Sequence, residues 1–478
     1  MSAHVLRDFQ ATGCDWIEAS WERLPSIGRR PAVVYQLPTG GGKTPMQAEL
    51  IRRAHARGLT AAVMAPGVDL CRQLRARVGC EVYRTTTLAS WHKAGKPLPF
   101  AHVWIVDEAR CITSPGVSPV VLALQAGGAR MAFFDATPET ASGMGLGAWA
   151  DDLRQGPSVK ELVAAGHLVP SRVFSAEQGR GLAMTPVEAW LHLYWYGRIL
   201  RIGETAPIEI AAGPMGRKRR ALVFAKDKAH ARQIVAEFAA RRVPAAFIGD
   251  DTPEIERQRL LGWTDAHGTF HEGALAKGEV LALVCASLLR QGIDIKQIEL
   301  VISARAFDSE PLARQAWGRG MRTWTEGGKV DCVMVDLIGG IVDRVGLPDD
   351  PRAWSLEGEA CRAAGEALPP AVKCVFCHAW GRGGLCTFCK RALPPPPPPP
   401  VLVRDLVEQF AREPADVKAE YLARMARIAV EKGYKPGWVG VKYSKKYGAY
   451  PARGAADRAI EQARQEQEAS CPRKRAVN

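Results

Sequence analysis

The sequence predicts an α/β protein with two tandem parallel-sheet domains, followed by a four-cysteine ribbon and a small helical C-terminal module. Short apolar runs alternate with helical runs as far as about residue 340, a pattern typical of parallel sheets with helical crossovers. Two Cys-x-x-Cys pairs and a run of prolines then precede a basic tail. The predicted bounds are 1–168 and 169–350 for the sheet domains, 370–392 for the ribbon, 393–400 for a polyproline linker and 401–478 for the tail.

A glycine-rich loop at residues 37–44, Leu-Pro-Thr-Gly-Gly-Gly-Lys-Thr, is the most informative run. It lies between a β-prone apolar run at 32–35 and a helical run at 46–56. Bare N–H groups of such a loop face phosphates, its lysine reaches the β- and γ-phosphates, and its threonine hydroxyl holds Mg²⁺. The alternative is an ordinary glycine-rich turn before a helix. The residues predicted to bind ATP here are Thr39, Gly40, Gly41, Gly42, Lys43 and Thr44.

A carboxylate pair follows the apolar run 103–106, which predicts a buried parallel strand. The carboxyl end of such a strand lies beside the phosphate loop in a doubly wound sheet. We therefore expect Asp107 to bind Mg²⁺ through water and Glu108 to polarise the attacking water. The alternative is two acids in a surface turn. A further strand candidate, 131–134, runs into Asp135-Ala136-Thr137.

The charge balance indicates a polyanionic partner. Lys and Arg number 64 against 50 Asp and Glu, giving a net charge of +14 and a pI of about 9.3. Nucleic acid is the simplest such partner, and a generally basic surface is the alternative. We find no uninterrupted apolar run of ~18 residues and no secretory signal, so we expect no membrane span and a cytoplasmic location.

The twelve cysteines divide into two groups. Eight are scattered, several of them in apolar runs where cysteine acts as a small hydrophobe. The other four, Cys374, Cys377, Cys386 and Cys389, have the spacing of two knuckles that close a tetrahedral zinc site with a structural role. Two disulfides are the alternative, which a cytosolic location disfavours. His378 would exceed the four ligands and is interpreted as a solvated loop residue.

A second sheet domain is predicted between the first domain and the cysteines. It contains no phosphate loop, so it cannot bind ATP as the first domain does. Residues 314–322 carry the pattern Gln-x-x-Gly-Arg-x-x-Arg, for which a basic helix face is the alternative interpretation. The strand candidates are residues 221–225, 245–248, 280–285, 300–303 and 333–337.

Seven segments between residues 6 and 340 resemble the motifs of superfamily 2 helicases and occur in the same order. The resemblance covers about 70% of the chain (340 of 478 residues) and implies two RecA-like domains that clasp ATP and Mg²⁺. It also implies that Gln10 reads the adenine edge, and that Gly292 and Asp294 touch both the nucleotide and the nucleic acid. The pattern at residues 314–322 resembles the arginine-finger motif of these helicases, called the finger motif below. The resemblance implies that its Arg319 and Arg322 would face the γ-phosphate across the cleft between the domains.

The resemblance completes the predicted active site. Gln315 would hold the water or a phosphate, and Asp135 stands where the family usually has Ser or Thr. The catalytic residues predicted from residues and resemblance together are Lys43, Asp107, Glu108, Gln315, Arg319 and Arg322.

Within superfamily 2, the chain is most similar in pattern to RadD-like DNA repair ATPases and their phage-borne relatives. This likeness implies an ATP-dependent DNA helicase or translocase in a bacterial or phage-infected cell, serving replication, recombination or repair on single-stranded or branched DNA. Two alternatives stay open: a nucleic-acid-binding ATPase switch without unwinding, and the motor subunit of a restriction-type system. The chain carries no recognisable nuclease motif, so cleavage would need a partner.

The tail after the proline run is basic, with 16 Lys and Arg against 10 Asp and Glu in residues 401–478. The prolines at 394–400 predict a stiff spacer of about 20 Å. Basic and aromatic residues interleave around Trp438, which predicts either contact with single-stranded nucleic acid or docking of a replication or repair protein. For Trp438 itself, the alternative is a core position in a small helical unit.

Overall fold

The computed structural model describes residues 5–24, 30–140, 142–175, 185–191, 219–249, 251–265, 269–286, 295–307, 309–358, 369–395, 415–447, 450–452 and 454–470. The chain divides into two units, Met1–Pro396 and Pro397–Asn478, which are described separately. In the described residues, no helix is both long enough and apolar enough to cross a bilayer.

The first domain is built around a six-stranded parallel sheet with the order β3-β2-β4-β5-β1-β6. Helices cover both faces, so the central strands are buried along their whole length and read as continuous apolar runs. Its elements are α1 (Asp8–Arg23), β1 (Ala32–Gln36), α2 (Lys43–Ala56), β2 (Ala61–Ala65), α3 (Val68–Val78), β3 (Glu81–Arg84), α4 (Thr85–Lys93), β4 (Val103–Asp107), a 3₁₀ helix (Ala109–Thr113), α5 (Ser118–Ala126), β5 (Arg130–Asp135), β6 (Asp152–Gln155) and α6 (Val159–Ala164).

The second domain repeats this plan with six parallel strands in the order β7-β14-β13-β8-β12-β9. The two parallel-sheet domains confirm the predicted fold class. Its elements are β7 (Ser171–Ser175), α7 (Pro186–Leu191), β8 (Arg220–Phe224), α8 (Lys228–Ala240), β9 (Ala245–Phe247), α9 (Glu254–Leu261), β10 (Gly262–Thr264), β11 (Phe270–Glu272), α10 (Ala274–Lys277), β12 (Ala282–Cys285), β13 (Ile298–Ser303), α11 (Glu310–Gly320), β14 (Cys332–Asp336) and α12 (Ile341–Val345).

The chain returns to the first domain after the second sheet is complete. The N–H of Gly147 donates to the carbonyl of Leu356 at 2.8 Å. The side chain of Gln155, at the end of β6, donates to the carbonyl of Arg352 and accepts from the N–H of Trp354, both at 2.8 Å. The two domains are therefore joined both by the linker before β7 and by this returning segment.

The four-cysteine segment packs against β7, the edge strand of the second sheet. It contains a short hairpin, β15 (Val372–Lys373) and β16 (Trp380–Gly381). The indole N–H of Trp380 donates to the carbonyl of Ser175 at 2.9 Å. Because buried cysteines of this segment share an apolar cluster with strands of the second sheet, the segment and the domain form one core.

The second unit contains three helices, α13 (Ala415–Lys432), α14 (Pro436–Tyr447) and α15 (Ala455–Ser470). They enclose a small apolar core of Met425, Ala426, Ala429, Val439, Ile460 and Ala463. A helical C-terminal module is therefore present. Of the proline run, only residues 394 and 395 lie in the described part of the chain, so the predicted spacer falls mainly outside it.

Candidate active site

The glycine-rich loop joins the buried strand β1 to helix α2, which begins at Lys43. Gly40 and Gly42 have φ values of +86° and +93°, in the left-handed region that favours glycine. The loop therefore turns tightly and delivers the chain to a helix N-terminus, where N–H groups and the helix dipole favour an anion. The ammonium of Lys43 rests 3.2 Å from the carbonyl oxygen of Leu37.

Helix α1 contacts this loop through Gln10, whose side chain is buried. Its amide donates to the carbonyls of Gly41 at 3.3 Å and Gly42 at 3.0 Å. The φ of Gly42 favours glycine there, and an added Cβ would lie 2.3 Å from the amide nitrogen of Gln10 and would displace that side chain. The structure thus places Gln10 against the phosphate loop, and its reading of adenine stays a prediction.

Asp107 ends strand β4, and Glu108 follows it with φ +51°, a conformation that non-glycine residues rarely adopt. Burial, and after it the charge of Glu108, raises the pKa of the Asp107 carboxyl above its usual range. Burial also acts to raise the pKa of Glu108, but Arg110, Lys43 and Arg319 together outweigh it and hold that pKa below its usual value. Among the residues that the structure describes, the buried Oδ1 of Asp107 has no hydrogen-bond partner, which fits a ligand of a hydrated Mg²⁺ ion.

Arg110 belongs to this group of side chains, although its contacts were not predicted from the sequence. Its guanidinium donates to Glu108 at 2.9 Å and to the hydroxyl of Thr137 at 2.8 Å. Asp135 in turn accepts the backbone N–H of Arg110 at 2.8 Å and that of Thr137 at 2.9 Å. The carboxylate of Asp135 therefore ties the ends of β4 and β5 together. Its position two residues after Glu108 was the sequence feature that could have indicated a contact with that carboxylate.

Helix α11 of the second domain reaches the acids of the first. The side-chain amide of Gln315 donates to Glu108 at 2.7 Å. Arg319, one turn further along α11, lies close enough for its charge to act on Glu108. The structure therefore brings Gln315 and Arg319 together with Glu108, and their roles toward water and phosphate stay predictions.

Two close approaches hold α11 against the phosphate loop. A Cβ at Gly318 would lie 2.5 Å from the Cβ of Thr39, and a Cβ at Gly40 would lie 3.3 Å from the Cγ of Arg322. The sequence analysis did not single out Gly318 as a contact. A glycine inside a helical pattern was the available signal, since it marks a close backbone approach.

The beginning of α11 is fixed by a partly buried group of ion pairs. Glu310 accepts from Arg314 at 2.6 Å and also from Arg352. Asp350 accepts two hydrogen bonds from Arg382 of the cysteine segment, at 2.6 and 2.8 Å. The helix that carries Gln315 is thus braced by the same returning segment that holds the cysteine segment.

A cavity of about 320 Å³ lies between the two domains at these residues. Its lining includes Lys43, Thr44, Asp107 and Glu108 from the first domain, and Arg319 and Arg322 from the second. Further cations, among them Arg7, Arg77 and Lys296, also line it, so positive charges outnumber the two carboxylates. Such a cavity is suited to a polyanion of the size of a nucleoside triphosphate. Gly292 and Asp294, predicted to touch the nucleotide, lie outside the described residues.

The four cysteines of the two Cys-x-x-Cys pairs converge on one point. Their sulfur atoms all lie within 4.8 Å of one another. The Sγ atoms of Cys374 and Cys389 are 3.6 Å apart and those of Cys377 and Cys386 are 3.5 Å apart, so neither pair is a disulfide. Four thiolates at 2.3 Å from a tetrahedral zinc ion would be separated by roughly 3.8 Å. The cluster therefore fits Zn²⁺, with all four positions taken by protein.

Two protein families match parts of the chain. Residues 27–162 match the family described as AAA domain, and residues 209–323 match the helicase conserved C-terminal domain. No curated protein matches the chain by sequence.

One solved structure shares the fold at low identity, and others align with lower scores. A fragment assigned to the HsdR subunit of a type I restriction enzyme from Vibrio vulnificus YJ016 aligns with a TM-score of 0.51 and 16% identity, over 72% of this chain and 66% of that fragment. The type ISP restriction-modification enzyme LlaBIII aligns with a TM-score of 0.46 and 15% identity, over 69% of this chain and 27% of the enzyme. Dbp5 of S. cerevisiae, bound to RNA and ADP BeF3, aligns with a TM-score of 0.44 and 14% identity, over 69% of this chain and 87% of Dbp5. This chain thus spans less than two thirds of both restriction proteins.

Proposed function

We propose that this superfamily 2 helicase-like protein hydrolyses ATP in the cleft between its two RecA-like domains, in response to nucleic acid, and uses the cycle to move along or remodel DNA. The observation that carries the proposal is the 2.7 Å hydrogen bond between Gln315 and Glu108. It joins the residue best placed to orient a water molecule to the helix that carries Arg319, and Arg322 follows that helix in the chain.

The chain's own residues divide the work of hydrolysis. The N–H groups of the loop at residues 39–44 and the ammonium of Lys43 bind the phosphates, while Thr44 and Asp107 would hold Mg²⁺. When bound, Mg²⁺ neutralises charge on the β- and γ-phosphates. Glu108 orients the attacking water, and Gln315 keeps the carboxylate of Glu108 directed at it.

The second domain supplies charge that the first domain lacks. Arg319 and Arg322 line the same cavity as Lys43, from the opposite side. They stabilise the negative charge that spreads over the transferred phosphoryl group. Because these arginines lie on a separate domain, hydrolysis depends on the relative position of the two domains. This dependence allows ATP turnover to be converted into movement.

DNA as the partner is supported by the net charge of +14 and by the sequence motifs that resemble RadD-like ATPases. The process served would be replication, recombination or repair. The decisive experiment measures ATP turnover with single-stranded, duplex and forked DNA and with RNA. Stimulation by DNA over RNA supports the proposal, whereas equal turnover with and without every nucleic acid contradicts it.

Four variants connect turnover to the site. Lys43→Ala should abolish hydrolysis, and Glu108→Gln should keep ATP binding while turnover falls by orders of magnitude. Arg319→Ala should cost ~10³-fold or more, the usual effect of losing an arginine finger. Arg259→Ala, on the exposed surface of α9, is the matched control and should leave turnover unchanged. Normal hydrolysis by the Arg319 variant would contradict the two-domain cleft.

A second candidate is the motor subunit of a restriction-type system, favoured by the fold shared with the HsdR fragment. A motor of that kind would move along duplex DNA and leave cleavage to another domain or partner. Displacement of a third strand from intact duplex, without separation of the duplex strands, would favour this candidate. Strand separation of a forked duplex would favour the helicase.

A further inference from the structure

Two consecutive helices of the C-terminal unit, α13 and α14, are joined by a three-residue turn. The turn begins at Gly433, whose φ of +67° lies in the left-handed region. The N–H of Gly433 donates to the carbonyl of Val430 at 3.3 Å, and the N–H of Tyr434 donates to that of Ala429 at 2.8 Å. This pair of bonds closes the end of α13 as a Schellman motif, and Pro436 then starts α14 at the position where proline suits a helix.

The packing of the two helices depends on small buried residues. Ala429 on α13 is 1% exposed, and Val439 on α14 is fully buried. The third helix, α15, completes the core with Ile460 and Ala463. Two helices joined by a short glycine-containing turn and supported by a third helix are features that this unit shares with helix-turn-helix modules.

Positive charge is concentrated on the first two helices and their turn. Residues 415–447 contain eight Lys and Arg against three Asp and Glu, a net charge of +5. Residues 455–470, which form α15, contain two basic residues against four acidic ones, a net charge of −2. Charge is therefore unevenly distributed in the module, and the pair α13 and α14 is its electropositive part.

The turn before α14 and the middle of that helix present basic and apolar groups to solvent. Lys435 and Lys442 are exposed, and between them the side chain of Val441 is 42% exposed. Trp438 instead packs against the core of the module. Tyr434 lies 4.8 Å from its ring and the ammonium of Lys442 lies 5.3 Å from it. This placement disfavours the hypothesis that Trp438 stacks on an unpaired base and favours its core interpretation.

We propose that the helix-turn-helix module binds duplex DNA, with α14 in the major groove and α13 across the phosphate backbone. The major groove, at about 12 Å, is wide enough to admit one α-helix, and the N-terminal part of the second helix is the part that reaches base edges. Lys435 and Lys442 supply phosphate contacts there, and Val441 supplies an apolar contact of the kind made to a thymine methyl group. The inference goes beyond the proposed ATPase, because it assigns a second DNA site on the C-terminal unit with duplex DNA as its ligand.

The test compares duplex and single-stranded DNA of the same sequence, bound to the full-length protein and measured by fluorescence anisotropy over a salt titration. The double variant Lys435→Ala/Lys442→Ala should bind duplex about 10-fold more weakly. Its log–log salt slope for duplex should fall by about 2, since each phosphate contact contributes about 0.9. Single-strand binding should change less than about 2-fold on this view, because the motor domains supply it.

Three further proteins make the result specific. Arg464→Ala, an exposed change on α15, is the matched control and should bind both DNA forms as the wild type does. Val441→Asp places a charge toward the groove without touching the core, and should weaken duplex binding alone. Lys43→Ala disables the motor, and its duplex binding through the module should persist.

The proposal is overturned if the double variant weakens duplex and single strand equally, since that indicates phosphate contact without groove binding. It is also overturned if neither DNA form is affected, which would make the module a docking site for a protein. Basal ATP turnover should be normal in the double variant. A thermal melt that matches the wild type verifies that the variants fold, so failure of the module and failure of the motor give different results.

Discussion

Gln315 and Glu108 are separated by 207 positions in the sequence, yet the amide of Gln315 lies 2.7 Å from the carboxylate of Glu108. Each residue is also held by its own domain. Glu108 is also bound by Arg110, and Gln315 is on the helix that carries Arg319. Because the two residues lie on different domains, this bond depends on the angle between the domains, and we infer that it reports closure of the cleft.

Gln315→Ala removes this connection and should lower ATP turnover about 10²-fold, the scale of losing one hydrogen-bond donor in an active site. Affinity for ATP should change only a few-fold, because the phosphate loop is intact. Steady-state kinetics together with equilibrium nucleotide binding separate the two effects. Gln258→Ala, on α9 of the same domain, is the control. A variant with normal turnover would show that the bond is incidental to hydrolysis.

Gly318→Ala should obstruct closure of the cleft. Alanine is favoured over glycine within a helix by ~1 kcal/mol, so α11 itself should not be destabilised. The added Cβ would, however, lie 2.5 Å from the Cβ of Thr39, and neither atom is at the flexible end of a side chain. We expect turnover to fall at least 10-fold with an unchanged thermal midpoint. Gly116→Ala, where a Cβ would meet only a distant Ala89, should have no effect. Unimpaired turnover in the Gly318 variant would mean that the helix and the loop separate during the cycle.

The chemistry on each domain could be predicted from local sequence, whereas the contacts between domains could not. The apolar runs at residues 32–35 and 103–106 were each interpreted as a buried strand. The structure has β1 and β4 at these positions. The contact of Gly318 with Thr39 depends on the position of one whole domain relative to the other. No periodicity or spacing encodes that position.

The same limit applies to single side chains with two plausible environments. Trp438 lies among basic residues, which favours contact with a base, and also at helical spacing, which favours a core. Only the positions of α13 and α15 decide between them. The returning segment at residues 352–358 has no repeating pattern at all, so its attachment to the first domain was not predicted.

Removal of the metal should destabilise the motor unit as a whole. Cys374, Cys377 and Cys386 belong to the same buried cluster as strands of the second sheet. A loss of ~2 kcal/mol would lower the thermal midpoint of a domain of this size by roughly 4–8 °C. Calorimetry before and after treatment with a strong chelator measures the change. Cys386→Ser should reproduce it, and Cys80→Ser, outside the cluster, should keep both metal and midpoint. An unchanged midpoint after proven metal loss would mean that the ribbon folds independently of the second sheet.

Arg172 on β7 is placed to balance the negative charge of a zinc–thiolate centre. Its guanidinium carbon lies 4.1 Å from the ring centre of Phe388, which is next to Cys389 in the chain. One of its nitrogens pairs with Asp331, while the buried Nε and Nη1 have no hydrogen-bond partner in the described part of the chain. Four thiolates around one Zn²⁺ carry a net charge of −2, so a buried cation beside them stabilises the loaded site.

Arg172→Met should therefore speed the release of zinc to a coloured chelator and weaken zinc binding by about 10–100-fold, the usual effect of losing an outer-shell partner. Arg391→Met is the matched control, because Arg391 also covers an aromatic ring of the segment, Phe376, at 4.6 Å, but is exposed. Its release rate should be within about 2-fold of the wild type, since an exposed charge is screened by water. Release is measured on protein shown by elemental analysis to be fully loaded. Equal release rates for the two variants would show that Arg172 supports the packing of β7 and not the metal.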